Sequence, residues 1–222
     1  MSLLSIVPLW GSTPLGKVGT DVDYSTSTAA KTFTFAVTLD ASATYLAVAY
    51  NWGRNSDPGT PTATYNGVSM TLSANTNDNV ATILSGAGVF TLKNPAVGSS
   101  HNVVITFTNN VDDFCARAVG LAGASSVLST VTANGGGSTT NSLTGNLSPT
   151  AGAYIIGAMA ESRCSGTPTY TPGTNITELV DNAVGALGSF IGERLVTSGG
   201  TYAFAATCSQ THTASLAAVA IG

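Results

Sequence analysis

The chain has 222 residues, of which 43% are hydrophobic and only 8% are charged, and its formal net charge at pH 7 is −4. Its hydrophobic content excludes a disordered chain, because disordered chains combine low hydrophobicity with high charge. The seven Lys and Arg residues are spread singly along the chain, which excludes the basic surface that binds nucleic acid.

Residues 1–29 are predicted to form an N-terminal arm ahead of the folded domain. They carry six large apolar side chains without a clear strand register: Leu3, Leu4, Ile6, Val7, Leu9 and Trp10. Because such an arm is costly to leave in water, it either packs against a neighbouring subunit or adds a strand to its own domain. The arm lacks the basic region of a signal peptide, and no window of the chain is apolar for long enough to span a membrane.

Residues 30–122 alternate short apolar runs with turn residues, which predicts strands. Residues 31–39 have the period-two pattern of a half-buried strand, whereas residues 44–52 are uniformly apolar and predict a central strand. Asn66 and Gly67 predict a type I′ hairpin turn, because both tolerate positive φ. Further strands are predicted at 82–92, 101–108 and 114–122.

Residues 123–150 are rich in Gly, Ser, Thr and Asn. They are consistent with a linker between domains, but we favour a long crossover with one polar edge strand at 141–147. Later strands are predicted at 153–160, 178–180, 187–196, 201–207 and 214–221, too few for a separate sandwich. We therefore expect one core shared by both halves. The apolar C-terminal run ASLAAVAIG predicts a central strand that is covered on both faces.

The three cysteines, Cys115, Cys164 and Cys208, lie in or beside apolar segments. Three buried reduced thiols are the favoured prediction, with one Cys164–Cys208 disulfide as the alternative. Zinc binding is not predicted, because no two cysteines have a short C-x-x-C spacing.

The order of segments resembles a β-sandwich domain found in bacteriophage virion proteins and bacterial surface proteins. The resemblance covers roughly residues 30–222 and is carried by TFTF, ATYLAVAYNW, TATYNGVSMTL, VFTLKNPAVGSSHNVVITFT, ARAVGLAGAS, LSPTAGAYIIGAMAES and ASLAAVAIG. It implies a sandwich of jelly-roll or carbohydrate-module type with no assigned enzymatic role. We therefore predict an all-β fold, a single jelly-roll sandwich of eleven or twelve strands over residues 30–222, preceded by the arm.

Catalytic chemistry is weakly represented in the sequence. His101 and His212 have no carboxylate beside them in sequence, and no nucleophile motif occurs. The glutamates Glu161, Glu178 and Glu193 are expected at solvated positions or in an interface ion pair, although two of them on neighbouring strands would suit glycoside hydrolysis. The Asp- and Asn-rich loops at 21–23, 77–79 and 112–113 lack the spacing of a calcium loop. No enzyme activity, cofactor or metal site is predicted.

A glycan-binding surface is the alternative suggested by the aromatic residues. Trp52 at a strand end, beside Arg54, Asn55 and Asp57, is the predicted sugar contact, because an aromatic face buries the apolar CH groups of a sugar. Aromatic residues on strands are more commonly part of the core.

The low charge is unusual, since soluble domains have about 25% charged residues. It favours a protein that is extracellular or whose surface is covered in an assembly. We expect a non-enzymatic structural protein of a phage particle, a capsid decoration or head-fibre protein assembled in the host cytoplasm. It would form a homotrimer and contact the major capsid or another virion protein, without nucleic acid or membrane partners. The alternative is a carbohydrate-binding or receptor-binding module.

Overall fold

The computed structural model of the chain describes residues 14–54, 57–78, 84–136, 138–162, 164 and 166–222. Within these ranges the chain is all-β: seventeen strands pair antiparallel in four sheets, and there is no helix. The strands are β1 (Gly16–Thr26), β2 (Ala30–Thr38), β3 (Tyr45–Arg54), β4 (Thr62–Tyr65), β5 (Val68–Ser69), β6 (Thr71–Asp78), β7 (Leu84–Lys93), β8 (Ser100–Val111), β9 (Asp113–Ala122), β10 (Val127–Asn134), β11 (Thr140–Leu147), β12 (Tyr154–Ser162), β13 (Tyr170–Pro172), β14 (Thr177–Val184), β15 (Leu187–Leu195), β16 (Tyr202–His212) and β17 (Ala214–Ile221).

The two halves of the chain have nearly the same topology. The N-terminal half forms a five-stranded sheet in the order β1-β9-β3-β7-β6 and a second sheet in the order β2-β8-β4-β5. The C-terminal half repeats this with β10-β17-β12-β15-β14 and β11-β16-β13. Each half is therefore a sandwich of its own. We call the five-stranded sheets the inner sheets and the other two the outer sheets.

The four sheets stack as four layers with a hydrophobic core in each gap. One core, which includes Phe33 and Tyr50, fills the N-terminal sandwich, and another, which includes Ile155 and Phe204, fills the C-terminal sandwich. The third core lies between the two inner sheets, where β7 packs against β12 and β17. The outer sheets thus lie at opposite ends of the stack.

This layering explains the two strand patterns in the sequence. Strands of the inner sheets are covered on both faces, so β3, β12 and β17 are buried along nearly their whole length. Strands of the outer sheets face a core on one side only, so β2 alternates buried and exposed residues. The C-terminal strand β17 lies between β10 and β12 in an inner sheet, as its apolar run predicted.

Two expectations from sequence were wrong. The structure has more strands than the eleven or twelve predicted, and three cores instead of one core shared by both halves. The edge strand predicted at 141–147 is present as β11, but β1, β6, β10 and β13 were missed. Most of these strands are rich in Thr, Ser, Asn or Gly and carry few large apolar side chains, so their burial pattern is weak.

Candidate functional site

The residues predicted to contact a glycan do not form an exposed aromatic platform. The side chain of Trp52 is only 2% exposed, and its ring packs edge-on against Phe107 in the N-terminal core, with 6.3 Å between ring centroids. Arg54 is partly exposed, Asp57 is exposed, and Asn55 lies outside the described residues. A buried ring has no face to offer a sugar, so the aromatic part of the predicted site is absent.

The six apolar residues of the predicted arm lie outside the described residues: Leu3, Leu4, Ile6, Val7, Leu9 and Trp10. The later part of the arm, Gly16–Thr26, forms β1 and pairs with β9 at the edge of the inner sheet. This part therefore takes the second of the two arrangements that the sequence left open, a strand added to the chain's own sandwich.

The glutamates do not come together as an acid pair. Glu161 on β12 pairs with Gly188 and points into the C-terminal core, on the same side as Met159. Glu193 on β15 pairs with Ile156, which faces the core between the inner sheets. The two carboxyl groups are on opposite faces of one sheet, which excludes them as the two carboxylates of a glycosidase.

The remaining polar candidates have local partners. His101 shares a hydrogen bond with Ser99 (3.0 Å) and meets the ring of Tyr65 edge-on, and His212 shares one with Gln210 (3.2 Å). Among the described residues, no group of three or more His, Cys, Asp or Glu side chains is placed to hold a metal ion.

A buried cluster of acid and thiol groups was not foreseen from sequence. It consists of Glu161, Cys164, Tyr170 and Cys208, which we call the acid–thiol cluster, and each of its members is buried. Glu161 lies near the end of β12, Cys164 follows that strand, and Tyr170 of β13 pairs directly with Cys208 of β16. The cluster therefore joins the inner and outer sheets at one end of the C-terminal sandwich.

Cys208 interacts with the other three groups of this cluster. Cys164, most strongly, and also Glu161 and Tyr170 lower the pKa of its thiol. The Cys164 thiol itself donates a hydrogen bond to the backbone carbonyl of Glu161, at 3.7 Å. The backbone N–H of Gln210 donates to the Cys208 sulfur, at 3.5 Å. Within the described ranges, neither carboxyl oxygen of Glu161 has a hydrogen-bond partner, and the Tyr170 hydroxyl has none either.

These contacts order the proton affinities of the cluster. Burial, and the neighbouring Cys208, raise the pKa of Glu161 to about 10. The pKa of Cys164 is raised by its interaction with Cys208 and by burial. The pKa of Cys208 is lowered to about 5, mainly by its interaction with Cys164. These directions make Cys208 the more acidic of the two sulfurs and favour the protonated form of Glu161.

The N-terminal sandwich fills the same place with aromatic rings. Trp52 lies seven residues after the start of β3, and Glu161 lies seven residues after the start of β12. Trp52 pairs with Gly86 on the neighbouring strand, and Glu161 pairs with Gly188. A Cβ on Gly86 would lie 2.2 Å from the Trp52 ring, and a Cβ on Gly188 would lie 2.7 Å from the Cys164 sulfur. Two equivalent glycines thus make room for an indole in one half and for a thiol in the other.

A second polar group connects the two halves. Lys17, Asp21, Asp23, Arg117 and Glu193, which we call the inter-sandwich ion cluster, link the β1 edge of one inner sheet to β15 of the other. Lys17 bonds Glu193 at 3.0 Å and Asp21 at 3.1 Å, and Arg117 bonds Asp21 at 2.6 Å and Asp23 at 2.7 Å.

The inter-sandwich ion cluster is partly shielded from water. The side chains of Asp21 and Arg117 are 9% and 13% exposed. Tyr154 donates a hydrogen bond to Glu193, and its pKa is raised by burial and by this bond. Burial lowers the pKa of Lys17, but its hydrogen bonds to Glu193 and Asp21 outweigh burial, and the net shift is upward. This network holds the two sandwiches together by charge.

The three cysteines are free buried thiols, as predicted, and the structure places Cys164 beside Cys208, the pair named as the alternative bridge. No helix in the described part of the chain has the length and apolar character to cross a membrane. No family model, curated protein or solved structure matches the chain.

Proposed function

We propose that the chain is a non-enzymatic structural protein of a bacteriophage particle, a decoration or head-fibre subunit that associates through its two outer sheets. The observation that supports this is the chemistry of those two faces. Both are rich in hydroxyl groups and poor in charge, with Lys31 near the start of β2 the exposed charged residue among their described strands, and they lie at opposite ends of the four-layer stack.

Most outward side chains of the outer sheets are small and neutral. On the N-terminal face they include Thr32, Thr34, Ala36, Thr38, Thr62, Thr64, Asn102 and Thr106, and on the C-terminal face Ser142, Thr144, Asn146, Thr171, Ala203, Thr207 and Ser209. Hydroxyl pairs bridge equivalent strands on both faces: Thr32 with Thr106 at 3.4 Å, and Thr207 with Ser142 at 3.1 Å. Two such faces meet without desolvating a full charge, which is the costly step in polar contacts.

This differs from the contact expected from sequence, which was burial of apolar sheet faces. Within the described residues, four large apolar side chains are exposed, and they are scattered: Val68, Val97, Leu128 and Leu195. Shape complementarity and neutral hydrogen bonds between flat faces are therefore the proposed source of association, together with any contribution from residues 1–13.

The strand orders β1-β9-β3-β7 and β2-β8-β4-β5, largely repeated in the second half, support assigning each half to the jelly-roll class. The N-terminal face of one copy meeting the C-terminal face of the next is a heterologous contact, which extends as a fibre when successive copies stack straight and closes into a ring of three when each contact turns the next copy by about 120°. We propose the homotrimer as the closed form, seated on the major capsid or another virion protein after assembly in the host cytoplasm.

Two measurements test this function. Light scattering of the purified full chain over a concentration series should give an oligomer, and labelled antibody should decorate intact phage particles under the electron microscope. Thr34→Lys places a charge on the N-terminal face and should lower the oligomer mass, whereas the control Thr132→Lys, at an exposed position on β10, should not. A monomer at every concentration that is absent from particles would contradict the proposal.

A further inference from the structure

The acid–thiol cluster is not explained by the packing needs of its sandwich. In the N-terminal sandwich, Trp52 fills the position that Glu161 has in the C-terminal one. Phe107 takes the place of Cys208, because Thr106 and Thr207 are equivalent residues of β8 and β16 and each is followed by the residue in question. An apolar solution is therefore available to this fold. Placing a carboxyl group and two thiols in a core costs free energy unless their hydrogen bonds compensate.

The geometry brings the two sulfurs together from different parts of the fold. Cys164 follows β12 of the inner sheet, and its backbone N–H donates to the carbonyl of Ala186 at 2.9 Å. Cys208 lies on β16 of the outer sheet, opposite Tyr170. A Cβ on Gly188 would lie 2.7 Å from the Cys164 sulfur and 2.6 Å from the hydroxyl of Tyr170, the residue that pairs with Cys208, so Cys164 and Cys208 both lie beside Tyr170. Cys115 is also buried but belongs to the core between the inner sheets, apart from this pair.

We propose that Cys164 and Cys208 are a peroxide-reactive dithiol that closes into a reversible disulfide and links the inner and outer sheets of the C-terminal sandwich. The oxidant is hydrogen peroxide, a molecule not much larger than water. Cys164, which follows β12, is 6% exposed and Cys208 is 1% exposed, so Cys164 is the more accessible of the two.

The reaction balances with groups of the cluster. The Cys208 thiolate attacks one oxygen of the peroxide, the O–O bond breaks, and the leaving hydroxide takes the proton of Glu161 and departs as water, which leaves Cys208 as a sulfenic acid. Cys164 then gives its proton to Glu161 and attacks the Cys208 sulfur. The S–O bond breaks and the S–S bond forms. The second hydroxide takes the proton of Glu161 and leaves as water, and Glu161 is then protonated again from solvent. Two thiols are oxidised and one peroxide is reduced to two waters.

The bond would restrict the unfolded chain over the long segment that contains β13, β14 and β15. Such a cross-link stabilises a domain chiefly by lowering the entropy of the unfolded state, so the oxidised protein should melt roughly 5–10 °C higher than the reduced protein.

Peptide mass mapping of the full chain tests the proposal directly. After brief treatment with hydrogen peroxide under native conditions, we expect a Cys164–Cys208 peptide pair that has lost two hydrogens, and its reversal by dithiothreitol. Cys115→Ser is the matched control and should leave this product unchanged, because Cys115 is buried without a second thiol. Cys164→Ser and Cys208→Ser should each abolish it.

The Glu161→Gln variant tests whether the carboxyl group supplies the proton for the reaction. The amide keeps a hydrogen-bond donor beside Cys208 but supplies no proton to the leaving hydroxide, so disulfide formation should slow by roughly tenfold or more. Native protein whose two sulfurs stay reduced, whose Cys208 is oxidised only to sulfinic acid, or whose bridge involves Cys115 would overturn the proposal. These results are obtained on the wild-type chain and do not depend on whether a variant folds.

Discussion

At the scale of a single residue, Glu161 makes stability depend on pH in an unusual direction. Its pKa is raised to about 10 in the folded protein, whereas an unfolded glutamate has its ordinary pKa of about 4.5. Between these pH values the folded chain holds a proton that the unfolded chain releases, so this residue's contribution to the free energy of unfolding falls as pH rises. Relative to Glu161→Gln, the wild type should lose up to about 1.4 kcal/mol per pH unit in this window.

Urea unfolding of both proteins at about pH 5, 6.5 and 8 measures this difference. The comparison is needed because Cys208, with its pKa lowered to about 5, contributes in the opposite sense over much of the same window. Glu178→Gln, a change at an exposed glutamate of β14, should leave the pH dependence close to that of the wild type. Parallel curves for wild type and Glu161→Gln would show that Glu161 is ionised in the folded chain.

Gly188 should tolerate no side chain. A Cβ at this position would lie 2.6 Å from the Tyr170 hydroxyl oxygen and 2.7 Å from the Cys164 sulfur, both of which are buried. Gly188→Ala should therefore lower the free energy of unfolding by about 1–3 kcal/mol, the usual cost of overpacking a core. Gly16 on β1 has no atom within 4 Å of such a Cβ, so Gly16→Ala should change stability by less than about 0.5 kcal/mol. Equal urea midpoints for the two variants would contradict the packing.

At the scale of elements, the inter-sandwich ion cluster should hold β1 and β9 to β15. Arg117→Met keeps most of the buried aliphatic stem but removes both charged contacts to Asp21 and Asp23. Since Asp21 is nearly buried, losing its strongest partner should cost about 2–4 kcal/mol in urea unfolding. Lys93→Met, at an exposed strand end, should cost less than about 0.5 kcal/mol. An Arg117→Met loss as small as that of the control would show that the cluster is merely solvated surface charge.

Some strands could be predicted from the local pattern of apolar residues, and others could not. Alternation of large apolar and small polar residues is sufficient for β2 and β8, and an uninterrupted apolar run is sufficient for β3, β12 and β17. The hairpin at Asn66 and Gly67 was also correct, with both residues at positive φ. By contrast, β10 alternates Val, Thr and Ser with half of its residues exposed, so its composition resembles that of a loop.

Local pattern also could not predict the acid–thiol cluster. Glu161 ends an apolar strand and Cys208 lies in a separate one, and only the pairing of β13 with β16 brings the latter to Tyr170. One signal was present in the sequence: the tetrapeptide GTPT occurs at 59–62 and 166–169, before β4 and β13. Aligning the halves on it suggests a repeat, but it places Glu161 opposite Arg54, two residues from Trp52, so the equivalence of Glu161 and Trp52 follows only from the strands.

At the scale of the whole molecule, the duplicated topology explains why charge is scarce. The inner sheet of each half is buried on both faces, and the ion pairs found among the described residues lie where the inner sheets meet at their β1 and β15 sides. The outer faces need only remain hydrated, and threonine does this while favouring the strand conformation. A chain with these two neutral faces is suited to repeated contact with its own copies.

The way in which copies meet can be determined by charging one face at a time. Thr34 and Thr144 are exposed and occupy equivalent outward positions in β2 and β11. If every contact joins an N-terminal face to a C-terminal face, Thr34→Lys and Thr144→Lys should each reduce the oligomer to monomer, because each contact needs both faces. If like faces meet, each single variant should stop at a dimer through its unchanged face, and only the double variant should be monomeric. Light scattering distinguishes these cases, and variants whose mass equals that of the wild type would exclude the outer sheets as the interface.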